Sequence, residues 1–184
     1  MTGACLAQLG HEVACIDVDA SKIADLNAGR VPLIEEGMDR IIDRGVLEQR
    51  LSFTSDHGEG LVGAEVIIIA VGTPPLVSGA ADLSHVMAAA RAIGRHVSSD
   101  VTVVVKSTVP VGGNERVLAT IQEQLHKRGV RIHLSIAANP EFLREGVAVR
   151  DFMQPDRIVL GCSDAAACAR KAGVYAPLAR LGVA

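Results

Sequence analysis

Ala64-Glu65-Val66-Ile67-Ile68-Ile69-Ala70-Val71-Gly72-Thr73-Pro74-Pro75 is the stretch whose reading decides the fold. Five of the six residues from Val66 to Val71 are β-branched and none is polar, the pattern of a parallel strand covered by helices on both faces. The run stops at Gly-Thr-Pro-Pro. In an open α/β sheet ligands bind beyond the carboxyl ends of the strands, so this break marks the rim of a site. Three further segments repeat the grammar: Glu12 to Ile16 ends in Asp17-Val18-Asp19, Val101 to Val105 in Lys106-Ser107-Thr108-Val109-Pro110, and His133 to Ala138 in Asn139-Pro140-Glu141-Phe142-Leu143-Arg144-Glu145-Gly146. The expectation is an α/β, doubly wound, mostly parallel Rossmann-like sheet with its chemistry along one edge.

Composition narrows the class. A chain of 184 residues suits one well-cored domain, and 49% hydrophobic residues with only 2% aromatics demand an aliphatic core. A net charge of −3 supplies no basic field for nucleic acid. No apolar run approaches the roughly 20 residues of a membrane span, and no signal-peptide pattern opens the chain, so a cytoplasmic protein is expected. Cys5, Cys15, Cys162 and Cys168 form no Cys-x-x-Cys pair and read as reduced thiols, while the six histidines show no metal-ligand spacing.

Taken in order, residues 1–9 read as a helix with no strand before it, closed by Gly10. A strand over 12–16 follows, and Asp19 or Ser21 caps a helix carrying Ile23 and Leu26. This is the second half of a βαβ unit: the chain holds the strand-end acid and lacks the glycine-rich turn that precedes such an acid by about 20 residues in dinucleotide-binding folds. A loop over 30–37, a helix over 38–44, a strand over 51–54 and a helical turn or two over 56–61 lead to the central strand. Beyond it Asp82 is expected to cap a helix, Asn114 another, and Asp164 a last Ala-rich one. A strand is expected over 158–160.

Asp17 sits where a carboxylate accepts the hydroxyls of an adenosine ribose, with Lys22 five residues on. Thr73 and Thr108 repeat a strand-end hydroxyl, each equally readable as a turn hydrogen bond. Glu141 and Glu145 would share a face if helical, and paired carboxylates facing one cleft suit acid/base work; two acids of a solvated loop is the plainer reading.

Together, Gly10-His-Glu-Val13, Asp17-Val-Asp19, Ala70-Val-Gly-Thr-Pro74, Ala81-Asp-Leu-Ser84, Val105-Lys-Ser-Thr-Val-Pro-Val-Gly112, Asn139-Pro-Glu-Phe-Leu-Arg-Glu-Gly146 and Pro155-Asp-Arg-Ile-Val159 resemble the amino-terminal NAD-binding domain of the UDP-glucose/GDP-mannose dehydrogenase family, nearest its UDP-glucose 6-dehydrogenase branch. The resemblance implies NAD as cofactor, held by Asp17, Lys22, Thr73, Thr108 and Glu145. It implies a UDP-sugar contacted by Glu141, Phe142, Leu143 and Arg144, with Glu141 and Thr108 in the catalytic chemistry. The implied reaction is oxidation of a nucleotide-sugar 6-hydroxyl to a carboxylate through a cysteine-bound thioester, a step of polysaccharide biosynthesis, in a homodimer or larger assembly. None of the four cysteines here has the surroundings of that nucleophile, and Ile34 and Glu36 stand where the family usually has Tyr and Pro. The expectation is therefore an incomplete NAD-binding domain over 1–184, cut at both ends, its central helix and sugar domain absent. The alternative is a non-catalytic remnant.

Overall fold

The computed structural model describes residues 1–32, 35–162 and 165–180, with backbone alone at 165–167, 170 and 171. Its elements run α1 (Thr2–Gln8), β1 (Val13–Ile16), α2 (Ala20–Asn27), α3 (Met38–Leu47), β2 (Leu51–Thr54), α4 (His57–Gly60), β3 (Val66–Ile69), α5 (Ser84–His96), β4 (Val101–Val105), α6 (Gly113–Lys127), β5 (Leu134–Ala138), α7 (Ala148–Met153), β6 (Gly161–Cys162) and α8 (Ala165–Ala179). The alternation of strand and helix is that of an α/β protein with predominantly parallel pairing. No helix among the described residues is long and apolar enough to cross a membrane.

The chain packs as two compact units. The first comprises residues 1–60, 142–158 and 174–184, the second 61–141 and 159–173. In the first, β1 and β2 pair in parallel with Val13 opposite Leu51 and Ile16 opposite Thr54. Ala4, Ala7, Leu26, Met38, Ile42 and Leu51 form its buried core. Asp19 caps α2 as expected, its carboxylate accepting from the N–H groups of Ser21 and Lys22.

In the second unit the sheet order is β3-β4-β5-β6. The first three strands are parallel and β6 runs antiparallel to β5. β4 is buried along its whole length, which is why Val101 to Val105 shows no polar alternation. Helices α5 and α6 pack so closely that a Cβ added at Gly94 would lie 2.7 Å from the Ile121 carbonyl oxygen.

The single sheet edge expected from sequence is, among the described residues, two sheets, one in each unit. Other expectations shift locally. The strand awaited over 158–160 forms instead at Gly161–Cys162. Asp82 does not cap α5; Leu83 holds that position, and Asp82 makes an Asx turn, accepting the Ser84 N–H at 2.8 Å. Asn114 does not cap α6, because Gly112 in the left-handed region (φ 82°) starts the helix and Gly113 fits under Val109, where a Cβ would lie 2.7 Å from the valine Cβ. Asp164, the expected last cap, and Ile34 lie outside the described residues. Cys162 and Cys168 are joined in a disulfide, contrary to the reduced reading; their Cα atoms are 5.5 Å apart. Cys5 and Cys15 are free, and burial pushes the Cys5 thiol up to about 11.

Candidate functional site

In the first unit β1 ends at Ile16 and delivers Asp17, whose N–H donates to the Thr54 carbonyl of β2. Lys22, in the first turn of α2, reaches back so that its Nζ lies 2.5 Å from Asp17 Oδ2. Asp17 Oδ1 accepts the Asp19 N–H at 3.1 Å. Burial alone would raise this carboxyl. The hydrogen bonds from Lys22 and the backbone N–H groups of Asp19 and Val18, with the lysine's charge, outweigh it and hold the carboxyl below its ordinary value. About a third of the side chain stays exposed (31%), so the carboxylate keeps lone pairs for further donors.

The same unit holds the segment from Phe142 onward. It is a loop and not a helix, so the shared face considered for Glu141 and Glu145 does not form. Phe142 is 54% exposed, with the Arg157 guanidinium 5.4 Å above its ring. Leu143 is half-buried and Glu145 exposed. Arg144 forks onto Asp151, with Nε at 2.9 Å and Nη2 at 2.7 Å, while its N–H reaches the same carboxylate at 3.1 Å.

In the second unit the ends of β3 and β4 are laced together by Ser107, whose hydroxyl donates to the Val71 carbonyl at 2.7 Å. Beyond them Thr73 is half-buried and Thr108 exposed. Thr108 lines a cavity of about 690 Å³ with Asp82, Ser84, Met87, Val109 and Arg116. Glu141 meets Lys106, a side chain only 5% exposed, at 3.2 Å. Lys106 is a participant that sequence reasoning did not single out, although it stands inside the quoted Lys-Ser-Thr-Val-Pro block; a lysine directly after a fully buried strand was the available signal. Asn139, also buried, donates from Nδ2 to the Val159 carbonyl at 3.1 Å.

A Gly-x-Gly-x-x-Gly spacing does occur, at Gly58-Glu-Gly-Leu-Val-Gly63, but after β2. Its middle glycine serves packing, since a Cβ at Gly60 would fall 2.5 Å from the Ile16 side chain, and Gly63 serves a left-handed turn (φ 68°). The helix it accompanies is four residues long and its first amides are taken by Asp56 Oδ1, at 2.6 Å from Gly58 N and 3.2 Å from Glu59 N. It is not a phosphate cradle.

Residues 1–179 match the UDP-glucose/GDP-mannose dehydrogenase family, NAD binding domain. The chain belongs to this family. It is 43% identical over 180 residues to the UDP-glucose 6-dehydrogenase of Pseudomonas aeruginosa, covering 98% of this chain and 40% of that protein. It is 42% identical over 181 residues to that of Rhizobium meliloti, covering 97% of this chain and 40% of that protein. Among solved structures, a UDP-glucose dehydrogenase from Pyrobaculum islandicum superposes with a TM-score of 0.89 at 42% identity, over 95% of this chain and 40% of that one. A GDP-mannose dehydrogenase from Pseudomonas aeruginosa gives 0.87 at 34% identity, over 95% of this chain and 41% of that one. The chain thus spans about 40% of the length of these relatives.

The family's cofactor suits the residues present at one end. Asp17 offers a partly exposed carboxylate, held in place by Lys22, whose free lone pairs can accept hydrogen bonds from the two hydroxyls of a ribose.

Proposed function

We propose that this chain is the NAD-binding domain of a UDP-glucose 6-dehydrogenase whose sugar-binding part and nucleophilic cysteine lie outside residues 1–184. The observation that carries the reading is the Asp17–Lys22 pair at the carboxyl end of β1, in a chain whose relatives are UDP-glucose 6-dehydrogenases over its whole length. In this reading Asp17 accepts the adenosine-ribose hydroxyls and Lys22 orients it. Thr73 and Thr108 add strand-end contacts to the cofactor, and Glu145 lies toward the nicotinamide. Bound NAD supplies the hydride acceptor for oxidation of the sugar's 6-hydroxyl. Phe142, Leu143 and Arg144 contact the UDP-sugar. Glu141, exposed and ion-paired to Lys106, takes and returns a proton at its carboxylate, with the Thr108 hydroxyl orienting water. The reading carries with it a cytoplasmic location, an assembly of two or more subunits and a place in polysaccharide biosynthesis.

The test exchanges this chain for the matching segment of the Pseudomonas aeruginosa relative and records NADH formation with UDP-glucose. Turnover is expected with NAD in preference to NADP. Asp17→Ala should narrow that preference by about tenfold, the loss of roughly 1.4 kcal/mol of discrimination. NAD binding by calorimetry without turnover would favour the non-catalytic remnant. Failure to bind NAD would overturn both the cofactor and the residue assignments.

A further inference from the structure

Within the first unit one carboxylate ties together two stretches more than a hundred residues apart in sequence. Glu35 Oε1 accepts the N–H of Gly146 at 2.8 Å, and Oε2 accepts the N–H of Ala148 at 3.0 Å. The start of α7 needs such an acceptor. Ala148 is the first residue of α7, and Val147, at the cap position, has no side-chain oxygen to offer. Gly146 lies in the left-handed region (φ 82°), where the chain turns from the Phe142–Glu145 segment into α7 and where an L side chain would be strained.

Glu35 is itself held in place. Its carbonyl accepts the Met38 N–H at 3.2 Å, and Met38 is fully buried in the core of this unit. Gly37, between them, is a second left-handed glycine (φ 78°). The carboxylate is therefore presented from an anchored turn. On the far side, the Arg144–Asp151 fork closes the same segment over the first turn of α7. Phe142 to Ala148 is thus tied by Arg157 at Phe142, by Asp151 at Arg144 and by Glu35 at its end, and of these Glu35 is the anchor distant in sequence.

We propose that Glu35 is a positioning residue for the Phe142–Glu145 segment, which sets how Glu145 and its neighbours meet their ligands. This rests on the function proposed above, since that reading gives those residues to the UDP-sugar and the nicotinamide. Both oxygens of Glu35 are engaged by backbone N–H groups. Its two charge-assisted hydrogen bonds act through the backbone of Gly146 and Ala148.

Two measurements test it. Amide hydrogen exchange on the full 184-residue chain should find Gly146 and Ala148 protected, with protection falling roughly tenfold or more in Glu35→Ala, the equivalent of losing one charge-assisted bond. The amides of Val103 to Val105 in β4 should be unchanged. Glu35→Gln, which keeps one acceptor oxygen at the same reach, should retain protection at one of the two amides and serves as the variant to read if Glu35→Ala does not fold. In the segment-exchanged dehydrogenase, Glu35→Gln should raise KM for UDP-glucose, and KM for NAD with it through Glu145, while the preference for NAD over NADP, governed by Asp17, stays within about twofold, a split that general loss of stability would not give. Exchange at Gly146 and Ala148 identical in wild type and Glu35→Gln would overturn the clamp. An unchanged KM for UDP-glucose in an active enzyme would overturn the positioning role. If the unmutated exchange protein has no turnover, the proposed function fails and the exchange arm decides the clamp alone.

Discussion

Lys106 and Glu141 are an unequal pair. The ammonium is 5% exposed and the carboxylate 42%, so water can solvate the acid if its partner is removed but cannot reach the base. Deleting the acid therefore strands a buried charge, whereas replacing the base by an apolar side chain of similar volume removes the need for a partner. Glu141→Ala should cost about 1–3 kcal/mol in urea unfolding at pH 7, and Lys106→Met less, near zero. Equal losses would show that the ammonium finds water after all. A second residue-scale expectation concerns pH. The Arg144 hydrogen bond, more than its backbone N–H or the charges of Arg144 and Arg150, holds the Asp151 carboxyl down to about 2, against a smaller opposing effect of burial. A carboxyl depressed in the folded state stabilises it above the ordinary value of 3.8, and that contribution fades as pH falls toward about 2. Carboxyl 13C titration should place Asp151 in that acid range, and Arg144→Ala should return it toward 3.8.

At the scale of elements, the α5–α6 contact is where one methyl group decides. A Cβ on Gly94 would meet a backbone carbonyl at 2.7 Å and Gln124 Cβ at the same distance, and neither is the far end of a flexible side chain. Gly94→Ala should therefore lose about 1–3 kcal/mol in thermal or urea unfolding, despite alanine's better helix propensity. A gain in stability would mean that the helices separate freely. Such contacts were not legible in sequence, where Gly94 is one glycine inside a helical pattern. What was legible follows from local chemistry: the β-branched runs that became β3 and β4, the Asp19 cap, and the strand-end placement of Asp17 and Thr108. Where a second element intervened, local chemistry misled. Gly112 displaced Asn114 as a cap because the turn needs φ 82°, and the last strand moved from 158–160 to Gly161–Cys162. Lys106 and Glu35 gained their roles from partners 35 and more than a hundred residues away, which no local pattern encodes.

For the whole molecule, the exposed question is the strand edges. β3 hydrogen-bonds to β4 on one side and, among the described residues, to no strand on the other; β1 likewise pairs only with β2. Val66 to Ile69 is four consecutive β-branched residues without a charge, the composition that templates pairing with another chain. Burial alternates along the strand, Ile67 and Ile69 inward and Val66 and Ile68 half-buried, so a charge at Ile68 would guard the edge without entering the core. The chain made as 184 residues is expected to self-associate as its concentration rises from about 10 to 100 μM, a range in which unpaired edges aggregate. Ile68→Lys should reduce that association in sedimentation velocity and leave the far-ultraviolet circular dichroism unchanged. A wild-type chain that stays monomeric over the whole range would show that these edges are covered in solution, and the expectation would fail.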